Sequence, residues 1–106
     1  MAELKDILYK VHITSTLGSM TVEVKGICFD SRKARSGFLF VALKGTQSDG
    51  HQFMEKAVAS GATVVVAEKL PDRISDNVTY VTVKDSSQAL GIIAANFYNK
   101  QLIHLL

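Results

Sequence analysis

Two short polar clusters follow apolar runs, and both contain side chains able to bind a charged or hydrogen-bonding ligand. The first cluster is Asp30-Ser31-Arg32, directly after Ile27-Cys28-Phe29. The second is the segment 44–50, directly after the apolar run 39–43. In open α/β sheets, ligands bind at the carboxyl ends of the strands. We therefore expect the two clusters to face one another across a binding cleft.

The first cluster has a functional and a structural interpretation. Ser31 offers a hydroxyl, Arg32 a planar fork that suits phosphate or carboxylate, and Asp30 a carboxylate that can orient its neighbours. The alternative is a turn at the end of a strand, in which Asp30 accepts hydrogen bonds from nearby backbone N–H groups and Arg32 is solvated. The spacing favours the turn for Asp30 and leaves both interpretations of Ser31 open.

The second cluster carries amide and hydroxyl groups. Thr46 and Gln47 offer donors and acceptors that could match the edge of a base, and a solvated loop is an equal alternative. Asp49-Gly50 predicts a turn into a helix, with His51 near the helix start in a structural role. Lys44 is interpreted as a surface charge.

Several catalytic schemes are excluded by the residue inventory. The three histidines lie far apart and match no metal-binding spacing. The sequence contains no Gly-x-Ser-x-Gly motif and no Gly-x-x-x-x-Gly-Lys-[Ser/Thr] phosphate loop. We therefore assign no catalytic and no metal-binding residue to this chain, and favour binding without chemistry.

The composition is that of a globular domain. The 106 residues suggest one domain, and the net charge of +2 has its signs mixed along the chain. This balance argues against nucleic acid or an anionic membrane as a partner. No window reaches the roughly 18 apolar residues that span a bilayer. Cys28 is the only cysteine, which fits a cytoplasmic setting and a small buried side chain.

Apolar spacing and turn signals predict the elements. Helices are expected at residues 3–11, 51–60 and 87–99, and strands at 20–29, 38–43, 62–67 and 78–83. Residues 14–19 are expected to form a turn, and Asp85-Ser86 to cap the last helix. Gly26 suggests a bulge or a close approach by another backbone, and Gly61 a left-handed C-cap. The alternation predicts an α/β fold with a small mixed, partly parallel sheet and flanking helices.

The sequence ends on an apolar segment at residues 102–106, which we interpret as the first residues of a strand that is cut short. The chain is therefore expected to be the N-terminal part of a longer protein.

An ordered set of motifs gives a family resemblance. The motifs are Asp30-Ser31-Arg32, Gly37, the run 39–45, Asp49-Gly50-His51-Gln52-Phe53, and the segment 57–62. Together they resemble the N-terminal domain of the Mur ligases, and the resemblance covers essentially the whole chain. One departure is Phe38, which stands where members of the family usually carry Asp, and this puts the local turn in question.

The resemblance implies an ATP-dependent ligase of peptidoglycan synthesis, which joins a diamino acid to UDP-N-acetylmuramoyl-L-alanyl-D-glutamate. Residues 1–106 would be the domain that holds the UDP end of that substrate. The partners would be two further domains, a central one that binds ATP and magnesium and a C-terminal one that binds the amino acid. The UDP-site positions of the family fall on Phe29, Ser31, Thr46, Gln47 and Ser48.

The family's phosphate loop is absent from these 106 residues, so the chain alone is predicted to be catalytically inactive. Two alternatives stay open. One is the N-terminal domain of the next ligase in the same family. The other is a non-catalytic interaction module that has the same fold and has lost the ligand.

Overall fold

The computed structural model describes residues 2–44 and 51–105, with residues 51, 52 and 100–105 described as backbone only. The elements in chain order are β1 (Ala2–Glu3), α1 (Leu4–Ile7), β2 (Ile13–Leu17), β3 (Glu23–Val24), β4 (Gly26–Cys28), a 3-10 helix (Ser31–Lys33), β5 (Phe38–Val41), α2 (His51–Ala59), β6 (Val64–Ala67), β7 (Thr79–Val83) and α3 (Ser86–Leu105). Of the second polar cluster, Lys44 is described, and residues 45–50 lie outside the described residues.

A five-stranded mixed sheet organises the domain. Its strand order is β2-β7-β6-β5-β4, and β4 to β7 run parallel while β2 pairs antiparallel with β7. A separate two-stranded ribbon joins β1 to β3. The predicted fold class, a small and partly parallel sheet with flanking helices, is confirmed.

Each face of the sheet is covered by helices. Because side chains alternate along a strand, Leu39 and Val41 point to one face and Phe40 to the other. The first face packs on α1 and α3, with Ile93 and Phe97 fully or almost fully buried. The second packs on α2. The central strands β6 and β7 are buried along their whole length, as expected for parallel strands covered on both sides.

The beginning of the chain differs from the prediction. Only Leu4–Ile7 is helical within the predicted helix 3–11, because β1 pairs with β3 and Lys10 adopts a φ of 70°. The amide of Asn96, on α3, donates to the backbone carbonyls of Ile7 and Tyr9 at 2.8 and 2.7 Å. This side chain supplies partners for carbonyls that a longer helix would have satisfied internally.

The turn predicted at residues 14–19 is wrong over most of its length, because β2 covers Ile13–Leu17. Thr and Ser are common in turns, but β-branched Thr also favours strands, and here the hydroxyls pair across the sheet. Thr14 and Ser15 both contact the Thr82 hydroxyl, at 2.8 and 2.5 Å. The pairing with β7 therefore outweighs the local turn signal.

The single strand predicted at residues 20–29 is divided into β3 and β4. Gly26 begins β4, and an added Cβ there would lie 2.6 Å from the Phe38 ring. A close approach occurs at Gly26, but the prediction that another backbone makes it is wrong, because the Phe38 ring does. The turn before Phe38 is formed, with Gly37 at a φ of 81°.

The end of the chain also differs. The predicted helix end near residues 98–101 and the strand start at 102–106 are both wrong, because α3 continues to Leu105. Neither Gly nor Pro follows Asn99, and Lys, Gln and Leu are good helix formers. An apolar run of five residues does not distinguish a buried strand from a helix.

Candidate functional site

Four parallel strands bring their carboxyl ends to one edge of the sheet, which we call the carboxyl edge. Asp30-Ser31-Arg32 follows β4, Lys44 follows β5, Glu68 follows β6, and Asp85-Ser86 follows β7. Polar side chains therefore follow each of the four parallel strands at this edge. This is the part of an α/β sheet where ligands bind.

Asp30 fixes the turn that follows β4. Its Oδ1 accepts a hydrogen bond from the backbone N–H of Arg32 at 2.9 Å, and its two oxygens contact the Arg32 guanidinium at 2.8 to 3.3 Å. The side-chain and then the backbone hydrogen bonds from Arg32 lower the pKa of Asp30 from 3.8 to about 2. The interpretation of Asp30 as a turn residue is confirmed. Arg32 is solvent-exposed, as expected, and also forms an ion pair with Asp30.

Ser31 lies in the first turn of the 3-10 helix and is 7% exposed. A residue in a turn at a strand end is usually exposed, but Ser31 is largely buried because the 3-10 helix packs against α2. Among the described residues, the Ser31 hydroxyl has no hydrogen-bond partner. The Ser31 oxygen is not among the buried unpaired side-chain atoms, so it is accessible and has hydrogen-bonding capacity left for a ligand or water.

Phe29 precedes this turn and is 62% exposed, whereas its neighbour Cys28 is buried. Burial, with a smaller contribution from Asp30 that Arg35 partly opposes, raises the pKa of the Cys28 thiol to about 11. Cys28 is therefore an apolar core residue, as predicted. Phe29 presents an aromatic face at the carboxyl edge, suited to packing on a flat ligand ring.

The remaining predicted site residues, Thr46, Gln47 and Ser48, lie outside the described residues. The structure thus brings Phe29 and Ser31 together on the β4 end of the edge. Lys44, the first residue of the second cluster, is exposed and has no ion pair within the described ranges.

Glu68 and Ser86 form a hydrogen-bonded pair at this edge that the sequence analysis did not predict. The carboxylate of Glu68 accepts two hydrogen bonds from Ser86, from its backbone N–H at 3.0 Å and from its hydroxyl at 2.9 Å. Asp85 caps α3 as predicted, because its Oδ1 accepts from the N–H of Gln88 at 3.1 Å. Glu68 follows an apolar strand directly, as Asp30 does, and this position in the sequence could have identified it as a polar residue of the carboxyl edge.

A cavity of about 200 Å³ lies away from the carboxyl edge, beside α2. Met54, Val58, Pro71, Arg73 and Tyr80 are among its lining residues. Neither Phe29 nor Ser31, the two predicted site residues that the structure describes, lines it. The cavity therefore serves as an internal comparison for any test of the edge.

Residues 2–44 and 51–105 contain neither a metal-binding cluster nor a membrane-spanning helix. Within these ranges no three His, Cys, Asp or Glu side chains form a group that could hold a metal ion. No helix there has the length and apolar character needed to cross a membrane.

The model of the Mur ligase family, catalytic domain, matches residues 23–98, which include the whole parallel part of the sheet. The chain belongs to the Mur ligase family.

Among its relatives is the UDP-N-acetylmuramoyl-L-alanyl-D-glutamate–2,6-diaminopimelate ligase of Cytophaga hutchinsonii, which is 48% identical over 98 residues. That match covers 92% of this chain and 20% of the relative. Among solved structures, MurF from Acinetobacter baumannii matches with a TM-score of 0.71 and 31% identity, over 89% of this chain and 20% of that one. MurF from Thermotoga maritima in complex with ADP matches with a TM-score of 0.56 and 32% identity, over 69% and 16%. The chain thus spans about a fifth of the length of these proteins or less.

Proposed function

We propose that this chain is the uridine-nucleotide-binding domain of a MurE-type ligase, which adds a diamino acid to UDP-N-acetylmuramoyl-L-alanyl-D-glutamate with ATP hydrolysis. Family membership and the 48% identity to a ligase of that name support the proposal. The observation that carries it is the β4 end of the carboxyl edge. There the Ser31 hydroxyl, accessible although the residue is only 7% exposed, makes no hydrogen bond among the described residues and lies two residues from the exposed ring of Phe29.

The residues have distinct roles in this proposal. Phe29 packs on the uracil or ribose, and Ser31 hydrogen-bonds the ribose or diphosphate oxygens. Uracil presents a donor and an acceptor side by side, which the side-chain amide of Gln47 can match. Thr46 and Ser48 add hydroxyl contacts. Each neutral hydrogen bond contributes about 0.5–1.5 kcal/mol net, so five such contacts give weak binding to UDP alone.

The rest of the ligase is proposed to lie outside these 106 residues. ATP and magnesium would bind a central domain, and the amino acid, 2,6-diaminopimelate in the name of the Cytophaga relative, a C-terminal one. The chain contains no Gly-x-x-x-x-Gly-Lys-[Ser/Thr] sequence. We therefore expect this chain to show no ATPase activity in the presence of magnesium. A cytoplasmic location agrees with the use of a soluble nucleotide substrate.

A titration of the 106-residue chain with UDP, followed by NMR chemical shifts, tests the proposal. We expect saturable shifts at residues 29–32 and 46–48, with UMP weaker than UDP and CDP weaker still. Residues 71–75, beside the cavity at α2, provide the comparison region. Shifts confined to residues 60–75, with 29–32 and 46–48 unchanged, would refute the site.

MurF is the second candidate, because the matching solved structures named above are MurF proteins. UDP binding alone does not separate the two ligases. In the full-length protein, addition of a diamino acid to the UDP-muramoyl dipeptide would identify a MurE-type enzyme, and ligation of a dipeptide to the tripeptide product would identify MurF. A chain that binds no uridine nucleotide would leave the interaction module as the remaining interpretation.

A further inference from the structure

The carboxyl edge has two halves, one at the end of β4 and one at the ends of β6 and β7. Ser86, at the start of α3, is 0% exposed, so both of its polar groups need partners inside the protein. Glu68 provides them through a single oxygen, Oε2, at 3.0 and 2.9 Å. A carboxylate is a strong acceptor, so the Ser86 hydroxyl donates to it and keeps its own lone pairs free.

Those lone pairs extend the network to a third strand. The backbone N–H of Lys44, beyond the end of β5, donates to the Ser86 hydroxyl at 3.4 Å. Lys44, Ser86 and Glu68 therefore link the ends of β5, β7 and β6 in one chain of hydrogen bonds. In the sequence, Lys44 directly precedes the segment 45–50, which contains Thr46, Gln47 and Ser48.

Two carboxylates, Glu68 of this network and Asp85, accept hydrogen bonds at the N-terminus of α3. Helix N-termini attract anions because their first N–H groups lack partners within the helix. Here Glu68 accepts from the N–H of Ser86, and Asp85 accepts from the N–H of Gln88. Two carboxylates of the protein thus occupy the place that a phosphate would take, and they would repel one. This half of the edge is suited to holding the chain in place and unsuited to binding the diphosphate.

We propose that Ser86 and Glu68 are positioning residues for the uridine-nucleotide site. They fix the point at which the chain leaves β5, while the β4 half of the edge contacts the ligand. The inference rests on the proposed function, since it concerns the same nucleotide. Neither residue is expected to touch the ligand.

The test uses the 106-residue chain, with UDP affinity measured by calorimetry and amide hydrogen exchange measured at Lys44. Ser86→Ala removes the hydroxyl, and we expect UDP affinity to fall about three- to tenfold, the effect of one hydrogen bond. The Lys44 amide should exchange faster as well. Ser86→Thr and Glu68→Gln keep the hydroxyl and an acceptor oxygen, so both should stay within about twofold of the wild type.

Thr79→Val is the matched control. Thr79 is a buried hydroxyl residue at the start of β7, and it donates to the carbonyl of Ser19 at 2.7 Å. Its loss should reduce stability without changing UDP affinity or the exchange of Lys44. Glu68→Ala serves as a second disrupting variant if Ser86→Ala fails to fold.

The outcomes separate the two proposals. If the wild-type chain does not bind UDP, the proposed function is wrong and the positioning role falls with it. If the wild type binds and both Ser86→Ala and Glu68→Ala bind equally well, the positioning role alone is wrong. Weakening by Thr79→Val to the same extent would also overturn it, because the effect would then follow stability and not position.

Discussion

At the amino end of the five-stranded sheet, backbone packs closely against backbone, whereas at the carboxyl end each parallel strand is followed by polar side chains. Gly61, before β6, has a φ of 115°, and an added Cβ would lie 2.7 Å from the backbone of Ser36, before β5. At the other end, Phe29 is exposed and the Ser31 hydroxyl lacks a partner among the described residues. The two ends belong to the same strands, so their difference arises from the connections and not from the sheet.

We therefore expect stability to depend on the amino end of the sheet and the proposed binding to depend on the carboxyl end. The amino end has no room for a ligand at the contacts that Gly61 and Gly26 make. At the carboxyl end the Ser31 hydroxyl makes no hydrogen bond among the described residues and is accessible to a ligand or water. At the amino end the unpaired hydroxyl is that of Thr63, directly before β6, and it is buried. Substitutions at the two ends should therefore change different measured quantities.

The largest expected effect is at the amino end. Gly61→Ala forces a side chain into a positive φ and against the Ser36 backbone, and should cost about 3 kcal/mol of unfolding free energy. Urea denaturation measures this. The matched control is Gly91→Ala within α3, where nothing lies within 4 Å of the added Cβ, and it should stabilise by about 0.5–1 kcal/mol. A cost below about 1 kcal/mol at Gly61 would contradict the close packing inferred for this end.

The second prediction concerns the reactivity of Cys28, which marks the boundary between the buried strand β4 and the exposed carboxyl edge. Cys28, one residue before exposed Phe29, is buried and has a thiol pKa raised from 9.0 to about 11. The thiolate fraction at pH 8 should therefore be about 100-fold lower than that of an ordinary cysteine, since each pKa unit is a factor of ten. Thiol labelling kinetics with and without denaturant measure the ratio. Rapid labelling of the folded chain would show that the opening extends into β4.

The elements that could be predicted from the sequence are those whose pattern is set locally. The segments at β5, α2, β6 and β7 each combine a clear apolar period with a turn signal, and all four are confirmed to within two or three residues. The end of α1 and the strand β2 were predicted wrongly for a different reason. Their structure depends on partners more than 60 residues away, Asn96 for the end of α1 and Thr82 for β2. No local pattern contains that information.

The site shows the same division. Asp30 could be assigned to a turn because its partners lie two residues away in the sequence. The burial of Ser31 could not be read from the sequence, because α2 produces it. The link between Glu68 and Ser86 spans 18 residues and becomes visible only when parallel strands place their carboxyl ends together.

The third prediction tests binding at the carboxyl end. Ser31→Ala should weaken UDP binding by about three- to tenfold, the equivalent of one hydrogen bond. It should change the unfolding free energy little, since the hydroxyl gives up no partner within the described residues. Calorimetric titration and urea denaturation of the same variant measure the two quantities. Lys33→Ala is the control, because we assign that exposed side chain to the surface, and it should affect both much less.

A Ser31→Ala variant that binds UDP normally would remove Ser31 from the site. One that loses stability and affinity in parallel would show that the hydroxyl supports the fold. In that case the separation of the two ends would not hold at Ser31.

The smallest effect concerns the ion pair that closes the turn after β4. Hydrogen bonds from Arg32 lower the pKa of Asp30 to about 2, so its carboxyl should titrate in the folded chain well below the ordinary value of 3.8. Because the folded-state pKa is the lower one, the stabilisation is fully present above about pH 4 and is lost as the pH falls towards 2. The carbon chemical shift of the Asp30 carboxyl measures the midpoint directly. Arg32→Ala should return that midpoint most of the way towards 3.8, whereas Arg35→Ala, which leaves the carboxylate's hydrogen bonds intact, should not. A midpoint near 3.8 in the wild type would mean that the Asp30–Arg32 pair is open in solution, and Arg32 would then be free to meet a phosphate.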